Sequence, residues 1–306
     1  MSASKQQAHV PQTTGHVWDG DLQEYNNPLP NWWLMAFYAS VVFAVIYWFM
    51  YPAWPIAGTF TTGFKTITYV NNKGVEKTVH WNTRALLLQA TNEAVKAQKP
   101  YFDKLSSMSF EQIAKDPEMN SFVLSAGKEL FSDNCAPCHQ QGGAGKVGFA
   151  PNLTDDDWLY GGHFSEINHT ITYGRHGYMP PFAGVLTDQQ MTELADYILS
   201  FEKYPVNPAS AEAGNQLFHS ETAACYYCHG ADAKGRKVIG SANLTDSIWL
   251  WANVPAAKTI ADKEAAIKTV ITGGLNRGVM PTWQGRLSTD QIKLLTVYVH
   301  DLGGGQ

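Results

Sequence analysis

Cysteine is nearly missing from this chain: its 306 residues include four. They fall in two pairs, Cys135/Cys138 and Cys225/Cys228, where a disulfide framework would scatter them, so two small local sites are predicted instead. A basic excess is missing as well. The net charge is −5, which leaves no electrostatic footprint for nucleic acid. Valine-rich alternating runs are few, and the chain leans towards helices joined by long, shaped loops. Between Glu24 and Lys65 charge disappears altogether.

Inside that window, Trp32 to Trp54 is a run of 23 mostly large apolar residues. At the usual helical rise this is about 34 Å, enough to cross a hydrocarbon core of about 30 Å. Trp32 and Trp33 mark one interface and Trp48, Tyr51 and Trp54 the other, as aromatic belts do. Pro52 and Pro55 stop the helix. A cleaved signal peptide would have a short apolar core behind a basic start. Here Lys5 is the only base before the run, against Asp19, Asp21 and Glu24. A buried core helix would be a shorter run. One membrane anchor is the expectation, with positive charge too sparse to orient it.

Residues 58–120 read as a spacer without chemistry. Phe64–Val70 and Val75–Trp81 flank Asn71-Asn72-Lys73-Gly74, which predicts a hairpin. Thr83–Lys99 predicts a helix ended by Pro100, and Ser109 with Gln112 a capping box.

From residue 121 the chain repeats itself. Gly127 and Phe131 before Cys135 answer to Gly214 and Phe218 before Cys225. Cys135-Ala-Pro-Cys138-His139 answers to Cys225-Tyr-Tyr-Cys228-His229. Asn152-Leu-Thr-Asp155 with Trp158 answers to Asn243-Leu-Thr-Asp246 with Trp249. Met179-Pro-Pro-Phe182 answers to Met280-Pro-Thr-Trp283, and Tyr197 to Tyr298. The offset grows from 90 at the cysteines to 101 at the methionines, so the second copy gains residues around Trp251–Lys263. Charge divides unequally. Residues 125–204 hold four Lys/Arg against ten Asp/Glu, a net of −6, and residues 205–306 nine against eight, a net of +1.

C-x-x-C-H is the attachment signature for c-type haem. Two thiols bond to the porphyrin's vinyl-derived carbons, and the following histidine ligates iron from one face. Twice in one chain, at matching repeat positions, the signal is strong. A zinc ribbon keeps about 15–20 residues between its two knuckles; Cys138 and Cys225 are 87 apart. A redox dithiol explains neither histidine. Met179 and Met280, each in a glycine-containing loop and followed by proline, are the candidates for the sixth ligand opposite His139 and His229. An average methionine fills core space, but two at matching positions favour ligation. Met191 is a rival whose repeat partner, Ile292, has no donor atom, and His176 is the alternative nearest to Met179. His163 and His169 have no counterparts in the second copy, and His80, His219 and His300 read as strand, surface or loop residues. Histidine and methionine together fill both axial positions and raise the reduction potential. Such an iron exchanges single electrons and activates no substrate. That disfavours a dihaem peroxidase or a gas sensor, each of which needs a vacant position. Arg175, Arg277, Trp158 and Trp249 are candidate propionate contacts, against plain surface and core roles.

Each half resembles class I cytochromes c: Gly-x-x-x-Phe, C-x-x-C-H, a Pro-Asn-Leu-like step, Met-Pro and a final amphipathic helix. The resemblance implies that the first helix crosses the last with glycine against an aromatic, Gly127 to Tyr197 and Gly214 to Tyr298. It also implies that the Pro151 carbonyl accepts the ring N–H of His139. The second copy has Ala242 there, implying a looser or differently tuned bond to His229.

The whole chain resembles the CcoP/FixP family, the dihaem subunit of cbb3-type cytochrome c oxidase. Trp18-Asp-Gly, Asn27-Pro-Leu-Pro-Asn-Trp-Trp and Tyr51-Pro-Ala-Trp-Pro carry that likeness beyond the haem motifs. The resemblance implies an all-α chain with one N-terminal transmembrane helix and two tandem class I cytochrome c domains. The expected limits are 1–57 for a cytoplasmic N-terminus and anchor, 58–120 for a periplasmic spacer, and 121–204 and 205–306 for the cytochrome domains. It implies two covalent haem c groups on Cys135/Cys138 and Cys225/Cys228, with His139, Met179, His229 and Met280 on iron. It implies a bacterial inner-membrane protein relaying electrons from a cytochrome c donor. The acceptors would be a monohaem partner subunit and a haem–copper catalytic subunit, where O₂ is reduced. The chain itself has one membrane helix, no histidine within it and no C-x₃-C copper motif, so no O₂ chemistry is expected in it. The alternative is a dihaem subunit of another respiratory enzyme, of nitric oxide reductase or alcohol dehydrogenase type.

Overall fold

A computed structural model describes residues 12–276 and 278–304. The chain divides into two compact units, residues 1–98 and 99–306.

The first unit is built on α1, Asn31–Met50. None of its residues is buried, and at 20 residues, with a mean hydropathy of 1.8 over its most apolar 18-residue window, it meets what a membrane span requires in length and composition. The helix stops at Met50, short of the expected Trp54. Gly63 allows this: its φ of +70° brings the chain against the Met50 carbonyl, where a Cβ would lie 2.5 Å away. Phe64 and Lys65 N–H groups then satisfy the Phe49 and Met50 carbonyls at 3.0 and 2.9 Å.

Hairpins precede and follow the helix along the chain: β1 (Thr13–Trp18) with β2 (Leu22–Tyr25), β3 (Pro55–Ile56) with β4 (Thr59–Phe60), and β5 (Thr66–Val70) with β6 (Glu76–His80). The last is the expected hairpin, its turn closed by Asn71 Oδ1 accepting from Lys73 and Val75. The first was not expected, although Asp19-Gly20, both at positive φ, is a hairpin turn signal. Short two-stranded sheets thus join a helix-rich chain that the sequence presented as all-α.

Helix α2, Thr83–Ser107, begins in the first unit and does not end at Pro100, which lies inside it. A proline inside a helix costs about 3 kcal/mol. The last turns offset that cost by packing, since Leu105 is fully buried and Phe102 meets Phe122 edge-on at 5.4 Å. The second unit therefore begins inside the expected spacer.

That unit continues with α3 (Phe110–Lys115), which has the predicted Ser109/Gln112 capping box, and α4 (Pro117–Asn134). The short α5 (Ala136–His139) and α6 (Phe164–Tyr173) follow, then α7 (Asp188–Phe201) and α8 (Pro208–Phe218). Next come α9 (Cys225–His229), α10 (Ile260–Gly273) and α11 (Thr289–Asp301). Strand β7 (Arg175–His176) pairs antiparallel with β8 (Val279–Met280).

These helices form two cores, and neither follows one sequence repeat. The first gathers Val123 and Phe131 of α4, Ile167 and Ile171 of α6, and Leu295 and Tyr298 of α11. The second gathers Leu194 and Ile198 of α7, Phe218 of α8, and Ile267 and Ile271 of α10. The last helices are exchanged. A Cβ on Gly127 would meet Tyr298 at 2.8 Å, and one on Gly214 would meet the Glu193 backbone and Tyr197. The expected pairs, Gly127 with Tyr197 and Gly214 with Tyr298, are replaced by crossed ones. The glycine–tyrosine contact itself survives, with Phe131–Tyr298 and Phe218–Tyr197 ring centroids 5.5 and 5.4 Å apart. The physical reason is the link 202–207 between α7 and α8. It is so short that the two helices pack as antiparallel neighbours.

Candidate functional site

Each C-x-x-C-H segment is a single helical turn following the first helix of its repeat. In α5 the Cys135 N–H continues the α4 ladder to the Phe131 carbonyl at 2.8 Å, and His139 N–H reaches the Cys135 carbonyl at 2.9 Å. Cysteines three apart on such a turn face the same side. Cys135 and Cys225 are half-buried, Cys138 and Cys228 exposed, and all four are free thiols. Burial pushes the Cys135 and Cys225 thiols up to about 11. A redox dithiol needs the opposite shift, so dithiol chemistry is a poor fit. Among the described residues no three His, Cys, Asp or Glu side chains gather as a zinc site would require.

Both histidines are fixed in one orientation. His139 Nδ1 donates to the Pro151 carbonyl at 3.0 Å, and His229 Nδ1 donates to the Ala242 carbonyl at 2.8 Å. A carbonyl can only accept, so Nδ1 carries the proton and Nε2 keeps a free lone pair. Burial lowers both imidazole pKa values, and the carbonyl bonds oppose that only in part. Both rings are therefore favoured in the neutral form. The bond at Ala242 is not looser than that at Pro151: at 2.8 Å against 3.0 Å it is the shorter of the two, with a backbone carbonyl as acceptor in both.

Two glycines missed by the sequence reading make this geometry. At Gly145 a Cβ would strike Pro151 and Asn152, and at Gly235 it would strike Ser241 and Ala242. Each sits at positive φ and lets the loop close on the segment carrying the histidine's acceptor. Their 90-residue spacing, equal to that of the cysteine pairs, was the available signal.

Each methionine is half-buried against the core that holds the other repeat's cysteine–histidine turn, where its own repeat's was expected. Met280 packs against the core that includes Cys135, Leu153 and Trp158, and Met179 against the core that includes Cys225, Leu244 and Trp249. The rivals have other partners. Met191 is buried on α7 and accepts from Thr272 Oγ1 at 3.1 Å. His176 Nε2 lies 3.0 Å from Asn276 Oδ1.

The candidate propionate contacts are engaged within the chain. Trp158 Nε1 donates to the Asp155 carbonyl at 2.9 Å and Trp249 Nε1 to Glu202 at 2.8 Å. Arg175 binds Thr170 Oγ1 at 2.9 Å and lies over the Tyr160 ring at 4.2 Å. Arg277 lies outside the described residues. The residues present fit a c-type haem: paired free thiols, an oriented neutral imidazole and a thioether in one core, twice over.

Comparison with known proteins agrees with that fit. The family described as the N-terminal domain of cytochrome oxidase-cbb3, FixP, matches residues 11–58. The family described as cytochrome c oxidase, cbb3-type, subunit III, matches residues 123–198 and 209–299. The chain is 40% identical over 322 residues to the cbb3-type cytochrome c oxidase subunit FixP of Azorhizobium caulinodans, covering 100% of both chains. It is 39% identical over 304 residues to FixP of Sinorhizobium medicae, covering 96% of this chain and 95% of that one. It is 35% identical over 317 residues to subunit CcoP of Cereibacter sphaeroides, covering 100% and 99%.

Proposed function

The chain belongs to the subunit III family of cbb3-type cytochrome c oxidases, and from that premise we propose that it is the oxidase's membrane-anchored electron relay, taking single electrons from a cytochrome c donor. Haem c, when bound, supplies reversible one-electron exchange. The proposal assigns two of them, one on Cys135/Cys138 and one on Cys225/Cys228, with His139, His229, Met179 and Met280 as axial ligands. The acceptors are a monohaem partner subunit and the haem–copper catalytic subunit.

The protein's own part is positioning. The cysteine turns fix the porphyrin edge, and the carbonyls of Pro151 and Ala242 hold each imidazole with Nε2 outward. The methionine loops complete each site and exclude exogenous ligands. The apolar helix α1 keeps the relay at the membrane, which limits its search for partners to a surface. We place the N-terminus in the cytoplasm and residues from about 56 onward in the periplasm, where C-x-x-C-H attachment takes place in proteins of this type. The domain limits proposed remain 1–57, 58–120, 121–204 and 205–306 as sequence repeats and flanks, although the folded cores cross the 204/205 boundary.

The observation that carries the reading is the duplicated set of two thiols and one Nδ1-anchored histidine, each with a methionine in the same core. Pyridine haemochrome analysis of the purified chain should give two haems per polypeptide. Carbon monoxide should bind neither reduced haem, and the oxidase subunits should copurify. One haem per chain, or ready carbon monoxide binding, overturns the assignment.

A further inference from the structure

The shorter of the two imidazole bonds belongs to the copy that lacks the proline. His229 Nδ1 reaches the Ala242 carbonyl at 2.8 Å, whereas His139 Nδ1 is 3.0 Å from that of Pro151. A proline ring fixes φ at about −65° and confines the residue before it, so the Pro151 carbonyl is held in part by its own ring. Alanine brings neither restraint, and the second copy needs another.

The loops around the two carbonyls share one frame. The Gly145 and Gly235 N–H groups reach the His139 and His229 carbonyls at 2.8 and 2.7 Å. The Leu153 and Leu244 N–H groups reach the Gly143 and Ala233 carbonyls at 2.7 and 2.8 Å. The frames part just before the acceptor, where Ala150 of the first copy answers to Ser241 of the second. Lys146 N–H donates to the Ala150 carbonyl at 2.8 Å, and Ala150 N–H returns to the Lys146 carbonyl at 3.0 Å. The second loop is longer, 236–241 against 146–150. There Arg236 N–H donates to the Ser241 hydroxyl at 2.8 Å, and Ser241 N–H returns to the Arg236 carbonyl at a long 3.4 Å.

We infer that Ser241 is the positioning residue of the second site: its hydroxyl holds the Ala242 carbonyl on His229, the part that the ring of Pro151 has in the first. The inference rests on the reading of His229 as a haem ligand and adds what aims it. The Arg236 N–H occupies a lone pair of the Ser241 hydroxyl, so the hydroxyl proton goes to the Cys228 carbonyl, 2.5 Å away. That carbonyl lies in the last turn of α9, among those that a helix end leaves to outside partners. Cys228 precedes His229, and Ser241 precedes Ala242. Two bonds therefore join two adjacent residue pairs into a closed ring, which fixes both the distance and the direction of the imidazole bond. One bond alone would let the acceptor segment swing. Ala150 has no hydroxyl, and beside a proline none is needed.

The chemical consequence lies in the imidazole. A strong Nδ1–H bond to a carbonyl makes Nε2 a better donor to a metal and favours the oxidised metal. Ser241 acts on the reduction potential in this way, through Ala242 and His229, without touching iron.

The test uses the full-length chain with both haems, titrated spectroelectrochemically. Ser241→Ala should loosen the Ala242 bond and raise the potential of the haem on Cys225 and Cys228. The expected size is about threefold in the one-electron equilibrium constant, the worth of a weakened neutral hydrogen bond. The other haem should keep its potential. In the reduced protein the His229 Nδ1–H should exchange faster by NMR, and the His139 Nδ1–H at its parent rate. Ser241→Thr, which keeps the hydroxyl, should give the parent values. Ala242→Pro should leave the parent potential unchanged and return the Ser241→Ala variant to it, since ring and hydroxyl do the same task. Unchanged potential and exchange in Ser241→Ala, with haem on all four cysteines, overturn the role of Ser241 and keep the haem reading. Peptide mapping of the parent that finds no haem on Cys225 and Cys228 overturns both. If Ser241→Ala does not load haem there, Ser241→Ala with Ala242→Pro decides. Loading recovered at the parent potential supports the inference, and loading still lost overturns it.

Discussion

The two cores of the second unit have the same plan and different covers. The first core is closed by residues that precede the repeats: Leu105 of α2, Ile113 of α3 and Met119 of α4 are all fully buried, and Phe110 stacks on Phe164 at 5.4 Å. The second is closed by the extra residues of the second repeat: Ala252 and Val254 are buried there. A lysine anchors each cover. Lys293 of α11 donates to the Ser106 and Met108 carbonyls at the end of α2. Lys263, itself buried, donates to the Val254 carbonyl at 2.7 Å and lies over the Tyr204 ring at 4.8 Å. The difference teaches that the shared helices leave one flank of each core open. The chain filled the two openings from unrelated stretches, so the offset of 101 and the non-repeated residues 99–120 are two answers to one packing problem.

That comparison can be broken cover by cover. Leu105→Ala should have the largest effect, about 2–5 kcal/mol as for other fully buried leucines. Hydrogen exchange should quicken in α4 and α11 while α8 stays protected. Equal quickening in α8 would mean that the covers are not separate. Val254→Ala is the mirror experiment, expected to be smaller, about 0.8 kcal/mol for each methylene equivalent lost plus a cavity contribution.

Glycine positions come next. Gly214→Ala should destabilise by about 1–3 kcal/mol, the usual range for overpacking, and by more than Gly127→Ala. At Gly214 the obstacle is the Glu193 backbone, and at Gly127 it is the Tyr298 side chain. Thermal unfolding of the two variants gives the order. Lys263→Ala should cost about 1.5–3 kcal/mol, the usual worth of a hydrogen bond to a charged group, because the buried Val254 carbonyl keeps only the Ala257 N–H at 3.2 Å. Lys293→Ala should cost less, since its carbonyl partners lie at the solvent edge. Unfolding midpoints in denaturant would rank this pair.

The smallest effect sits where the loops of the two repeats approach. Burial, then the charges of Asp246 and Asp155, push the Asp157 carboxyl up to about 6, against an ordinary 3.8. The folded pKa lies above the unfolded one, so the native state holds a proton that the unfolded chain has released. The penalty is in force above about pH 6 and is relieved as pH falls from there towards about 4. Asp157→Asn should flatten that part of the stability curve relative to the parent. An unchanged difference curve across this window would remove Asp157 as the cause.

Much of this molecule is local and was readable before folding. The apolar run, the hairpin 66–80, the capping box at Ser109 and both cysteine–histidine turns depend on neighbours within a few residues; the hairpin and the capping box lie where their patterns predict, and the apolar helix differs only in ending at Met50. Helix α2 departs from the local expectation at Pro100 because the cost of proline is outweighed by distant contacts of Leu105. The hairpin 13–25 has a local signal too, in Asp19-Gly20 at its turn.

The pairing of the repeats was a different matter. Duplication gives both copies the same glycine, tyrosine, histidine and methionine, so each first helix fits either last helix and each histidine fits either methionine. Composition and spacing are blind to that choice. The short link between α7 and α8 decides the helices, because residues close in sequence meet at the least entropic cost. Once α7 lies on α8, α11 is left for α4, and the methionine loops are carried across with their helices. The sequence by itself determined what each site is made of; the tertiary structure alone decided which halves meet.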